Sequence, residues 1–188
     1  RALGEFDPDT FWSQHGSIEN LRESHRRVLA AHAALDAQDF PSMASLDASL
    51  AAIESDDVAF VEAQLARVQW RIVDPTSSKR KQRGREALEL LNQVLPYTRL
   101  NRILLLRLEA SVLAGRPEIA IETARLIADD ARTSLKAGPT LLQQPTLRRY
   151  LLRCQQVLNG LGGKPRIDNW RLQSVQQRIL ATLAELDD

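Results

Sequence analysis

The stretch ILLLRLEASVLAGRPEIAIETARLIADDARTSL, residues 103–135, decides the reading of the fold. Apolar side chains recur at helical spacing on both sides of Gly115-Arg116-Pro117, a triplet that ends one helix and permits the next to begin. The second helix carries Ile119, Ala120, Ala124, Ile127 and Ala131 on one face, and alanine there lets a neighbouring helix approach closely. Two helices joined by a tight turn make an antiparallel hairpin.

The same pattern continues toward both termini. Ile18, Leu21, His25, Val28, His32 and Leu35 follow at steps of 3, 4, 3, 4 and 3, one stripe of a helix that Ser17 can cap. Met43, Leu46, Leu50 and Ile53 form a second stripe after Pro41. A third helix starts near Asp56 and Asp57, carries Phe60, Val61, Leu65, Val68 and Ile72, and stops before Asp74-Pro75, with residues 86–95 returning as its partner. Beyond Gly138-Pro139, residues 147–158 form another apolar-striped helix. Residues 160–165 are a glycine-rich link, and a last helix capped by Asp168 carries Leu172, Val175, Ile179, Leu183 and Leu186. No strand or β-hairpin signal interrupts this series. The expected class is all-α, built either as stacked antiparallel hairpins in an α-solenoid or as an irregular helical bundle.

Composition narrows the functions. With 188 residues the chain can bury a core, and its 25 basic and 24 acidic residues leave a net charge of +1. No global field draws it to nucleic acid or anionic lipid, so any electrostatic function is local. Cys154 is the single cysteine, which excludes an internal disulfide and a cysteine-rich zinc site, and points to a reducing, cytoplasmic location. No apolar run approaches the ~20 residues that span a bilayer, and the first residues lack the apolar centre of a signal peptide. Beginning at Arg1 rather than Met, the chain is expected to be a processed product or a piece of a longer protein.

The hairpins also keep a register. Ala114-Gly115-Arg116-Pro117-Glu118-Ile119-Ala120-Ile121-Glu122 resembles the turn and second-helix start of a tetratricopeptide repeat, and Arg85-Glu86-Ala87-Leu88-Glu89-Leu90-Leu91 resembles the same half of an earlier unit. Ala87 and Ala120 lie 33 residues apart, against a repeat period of about 34. Met43, after Asp39-Phe40-Pro41-Ser42, takes the same position in a third unit, if residues 74–84 are a basic insertion. The resemblance covers residues 17–136. Residues 1–16 are then an N-terminal extension with a short helix, and residues 137–188 a C-terminal helical pair or cap.

Such arrays leave a concave surface formed by the first helix of each unit, where peptides and helices dock. The resemblance therefore implies a protein or peptide partner, contacted by His25, His32, Gln69, Arg102 and Glu109. It also implies a non-catalytic scaffold or regulatory module, and helical-repeat domains of this kind occur in large signal-responsive transcription regulators.

His25 and His32 are seven residues apart, about 10 Å along a helix, too far to share a zinc ion. The neighbouring carboxylates Asp7 and Asp9, Asp56 and Asp57 read as helix starts, and Asp129 and Asp130 point about 100° apart. Residues 160–164 follow a helix, lack phosphate-loop spacing, and precede Pro165 where a metal-holding hydroxyl belongs. Cys154 sits among Leu151, Leu152, Val157 and Leu158 and reads as buried; Trp12, Trp70 and Trp170 read as interhelical packing. No catalytic residue, metal site or cofactor is expected.

One cluster stands apart. Lys79, Arg80, Lys81, Arg83 and Arg85 place five cations in seven residues, read here as a loop. The alternative function is a nucleic-acid-associated helical domain whose basic loop contacts phosphates, with Arg148, Arg149 and Arg153 extending that surface. A third reading is homo-oligomer formation through an exposed helix stripe.

Overall fold

The chain is all-helical in a computed structural model that describes residues 18–75, 78–98, 101–138, 143–161 and 169–187. The helices are α1 (Ile18–Asp36), α2 (Phe40–Ala51), α3 (Phe60–Val73), α4 (Arg80–Val94), α5 (Asn101–Ala114), α6 (Pro117–Lys136), α7 (Gln143–Asn159) and α8 (Asn169–Asp187). Among the described residues there is no strand. The expected N-terminal extension, the Ser17 and Asp168 caps, Trp12, Asp7, Asp9 and the link at 162–165 lie outside the described residues.

Two turns are built alike. After α1, Gln38 takes a left-handed backbone (φ 55°), its N–H donates to the Leu35 carbonyl at 3.1 Å, and the Asp39 N–H reaches back to Ala34 at 2.8 Å. After α5, Gly115 does the same (φ 71°), donating to Val112 at 3.1 Å while Arg116 donates to Ser111 at 2.8 Å. This is the Schellman arrangement, which satisfies carbonyls that a helix end would otherwise leave open. In both cases a proline in the first turn starts the next helix. Asp39 additionally caps α2 by accepting the Ser42 N–H at 3.1 Å, and the Ser42 hydroxyl and amide hold its carboxyl below the usual range.

The chain forms two units, residues 1–74 and 75–188. In the first, α1, α2 and α3 pack mutually around Val28, Ala31, Met43, Leu50, Phe60 and Ala63. The buried stripe of α1 runs through Ser24, Val28 and Ala31, one residue off the stripe expected from the sequence, so His25 is exposed. Ser24 is tied down by a hydrogen bond from its hydroxyl to Asp57 Oδ1 at 3.2 Å, and the same oxygen accepts the Ala59 N–H at 2.7 Å just before α3. Small Ala31 then sits fully buried where a larger side chain would hold the helices apart.

In the second unit α5 is the central element. Ile103, Leu104, Leu106, Leu108, Ala110 and Ser111 are all buried, so the helix is enclosed on several sides by α4, α6 and α7. That accounts for the unbroken apolar run at 103–106. α6, α7 and α8 close over Ala124, Ile127, Leu151, Leu158 and Ile179. The buried hydroxyls of Ser111, Thr123 and Thr182 donate to the carbonyls four residues earlier, at 2.6, 2.7 and 2.9 Å, which removes the cost of burying them.

Two features differ from the sequence reading. The basic segment is not a loop: α4 begins at Arg80, because Lys, Arg and Gln are good helix formers and no proline interrupts them. α4 packs on α5, whereas the sequence reading paired it with residues 56–73, which here belong with α1 and α2. Gly84 makes the α4–α5 approach possible, since a Cβ there would lie 2.3 Å from the Ala114 backbone nitrogen. α7 and α8 pack on each other and share one core with α5 and α6.

Candidate interaction surfaces

The second unit carries a groove between α5 and α7. Leu105 and Glu109 supply one wall, and Pro145, Arg148, Arg149, Leu152, Arg153 and Gln156 the other, around an open volume of about 550 Å³. Helical spacing explains the lining: Arg102, Leu105 and Glu109 fall on one stripe of α5, and Pro145, Arg149, Leu152 and Gln156 on one stripe of α7. The walls are tied by Arg153, whose Nε and Nη2 both donate to Glu109 Oε1 at 2.7 Å. Its Nη1 also reaches Gln156 Oε1 at 3.4 Å. Leu152 is 37% exposed inside this rim of guanidinium groups.

A second concavity opens at the start of α4, lined by Ser78, Lys79, Arg80, Lys81, Gln82 and Arg85. Lys79, Arg80, Lys81 and Arg85 are exposed and Arg83 is half-buried. The first turn of α4 contains no acidic residue, and Lys79 precedes it without a side-chain cap. Gln82 Nε2 donates to Glu86 Oε1 at 3.0 Å. Arg148, Arg149 and Arg153, expected to extend this surface, line the α5–α7 groove instead.

The remaining partner residues expected from the sequence are spread over both units. His32 is partly buried with Nε2 3.6 Å from Glu62 Oε2, and Gln69 is half-buried on α3. Arg102 is exposed on α5, while Glu109 is held by Arg153. His25, His32 and Gln69 thus belong to the first unit, Arg102 and Glu109 to the second.

Other charged groups are internal ties. Asp47 Oδ1 accepts from Arg67 Nε at 2.8 Å, and Arg71 grips both its oxygens at 3.0 Å. Burial alone would raise the Asp47 pKa, but the hydrogen bonds and charges of Arg71 and Arg67 reverse that, so its carboxyl titrates below its ordinary value. Arg71 also lies over the Trp70 ring, 5.0 Å from its centroid. Asp129 accepts from Arg178 Nη1 at 2.6 Å and lies 3.6 Å from Arg125. Trp170, expected to pack between helices, is 67% exposed, with the Arg171 guanidinium 5.9 Å from its ring. It stands in the first turn of α8, whose buried stripe begins two residues later at Leu172.

Cys154 is fully buried, and burial, with Glu109 adding to it, pushes its thiol up to about 12. Such a thiol holds almost no thiolate near neutral pH, so it is a packing residue. Among the described residues no group of three His, Cys, Asp or Glu side chains could hold a metal ion, and no helix is long and apolar enough to cross a membrane.

The groove was only partly visible in the sequence. Glu109 and Arg102 are singled out there, but Leu105, Pro145 and Leu152 are not, because their meeting depends on how α7 crosses α5 and no local pattern encodes that. Compared with known protein families, curated proteins and solved structures, the chain matches none.

Proposed function

We propose that this chain is a non-catalytic interaction module, a scaffold or regulatory domain of the cytoplasm, that takes a protein segment into the groove between α5 and α7. The observation that carries this reading is the pairing of an apolar floor, Leu105, Pro145 and Leu152, with a rim of Arg148, Arg149 and Arg153 around one carboxylate, Glu109. Apolar contact supplies affinity and a cationic rim selects against basic segments, so the fitting ligand is an amphipathic segment with acidic residues flanking a leucine or aromatic anchor. Arg102, on the same stripe of α5, lengthens the rim. The matching Schellman turns of α1–α2 and α5–α6 support the tetratricopeptide-like reading of these two hairpins, and with it peptide docking.

The test is selection from a display library of random 15-residue peptides, followed by direct binding of the enriched peptides. Acidic amphipathic peptides are expected, with at least tenfold weaker binding to Leu152→Glu and to Arg149→Glu. Enrichment of peptides without acidic residues, or equal binding to both variants, would refute the reading.

A further inference from the structure

The α4 concavity gathers cations, among them Arg80, Lys81 and Arg85, with few carboxylates near them among the described residues. Several guanidinium groups elsewhere in the second unit meet carboxylates: Arg125 meets Glu122, Arg132 meets Glu185, Arg153 meets Glu109 and Arg178 meets Asp129. Arg80, Lys81 and Arg85 make no ion pair among the described residues. Glu86, the first carboxylate along α4, is engaged by Gln82. Lys81 lies along the α5–α6 turn, its Cε 3.8 Å from where a Cβ on Gly115 would stand. Like charges so concentrated repel one another and weaken the fold unless an anion sits among them.

The chemistry of the lining selects the anion. Its residues are hydroxyl, amide, ammonium and guanidinium groups, with no apolar side chain to enter a bilayer or anchor a peptide. Of the apolar residues of α4, Ala87, Leu90, Leu91 and Val94 are buried and Leu88 is half-buried. No aromatic residue lies in the lining, so there is no platform on which bases could stack. Guanidinium and ammonium groups suit phosphate oxygens, and from Lys79 to Arg85 the helix rises about 9 Å, the axial length of about three phosphates of one strand. We infer that this concavity is a sequence-blind contact for the phosphate backbone of double-stranded nucleic acid, made by Lys79, Arg80, Lys81 and Arg85. The contact is independent of the α5–α7 groove.

Fluorescence anisotropy with two labelled 20-base-pair DNA duplexes of unrelated sequence tests it, with polyglutamate and phosphatidylserine vesicles as competing anions. Both duplexes should bind alike, with affinity falling roughly 40-fold between about 50 and 200 mM salt, as expected for about three neutralised phosphates. Replacing Lys79, Arg80, Lys81 and Arg85 together with Gln should weaken binding at least tenfold without lowering the melting temperature. Should that variant fold poorly, single Arg80→Gln and Arg85→Gln variants should each lower the salt slope by about 1. Leu152→Glu should leave duplex binding unchanged. Absence of duplex binding at low salt, undiminished binding by the charge variants, or tighter binding to polyglutamate or vesicles would each overturn the inference.

Discussion

Replacing Gly84 with alanine puts two opposite effects into one methyl group. In an exposed helix the change stabilises by about 1 kcal/mol, because glycine loses more conformational freedom on folding. Here the added Cβ would lie 2.3 Å from the Ala114 nitrogen, 2.7 Å from the Leu113 carbonyl carbon and 2.8 Å from the Ala114 Cα. Those are backbone atoms of α5, which cannot rotate aside as a side chain can. Restoring van der Waals contact requires the helices to part by about 1 Å, loosening Ala87 and Leu91 on α4 and the enclosed face of α5. Overpacking of this kind costs about 1–3 kcal/mol and more where backbone must move, so the expected net effect of Gly84→Ala is destabilisation by about 1–3 kcal/mol. At about 2–4 °C per kcal/mol for a chain of this size, the melting temperature should fall by roughly 2–12 °C. The assay is thermal and urea unfolding followed by far-UV circular dichroism. Gly138→Ala serves as the contrast: nothing stands within 4 Å of its Cβ position, and only the left-handed backbone (φ 77°) is strained, at about 1 kcal/mol. A Gly84→Ala protein as stable as the parent, or more so, would refute the close α4–α5 approach.

Gln38 occupies the left-handed position that Gly115 fills in the equivalent turn, so Gln38→Gly should raise stability by up to about 1 kcal/mol; a lower urea midpoint would contradict this. Asp47→Asn should cost about 2–3 kcal/mol at neutral pH, since Arg67 and Arg71 then share a site without its anion; a change below about 0.5 kcal/mol would show the network to be solvated. Because the folded Asp47 pKa lies below its unfolded value, its contribution is present above pH of about 4 and is lost as pH falls through the folded value. The gap between parent and Asp47→Asn should therefore close in acid, and a gap that widens would reverse the assignment. Cys154 should react with a thiol reagent at pH 8 only as fast as the second unit opens, and rapid labelling of the native protein would show that it is not enclosed.

The helices were legible because apolar periodicity is a local signal, and the turn at Gly115-Arg116-Pro117 because glycine and proline have strong backbone preferences. Residues that act through distant partners were not. A stripe through His25 and one through Ser24 differ by a single residue, and the distant partners decide between them: Ser24 bonds Asp57, and Ala31 and Ala34 are buried in the core of the first unit. The cations of residues 79–85 read as a loop because the repeat register needs an insertion at 74–84, although charge carries no penalty on the exposed face of a helix. Gly84 carries no local sign of its role in the sequence, where it closes the proposed insertion, and its reason for being glycine lies 30 residues away on α5. Arg102 and Glu109 were picked out as polar residues on a helix otherwise rich in leucine, while the apolar floor between them and α7 gave no separate sign.

The enclosure of α5 has a kinetic consequence. A helix covered by α4, α6 and α7 cannot release its amides by fraying one neighbour, so hydrogen exchange along residues 104–111 proceeds only through opening of the second unit as a whole. One wall of the proposed groove is therefore as persistent as that unit itself, and a segment docking there meets a surface already formed before it arrives.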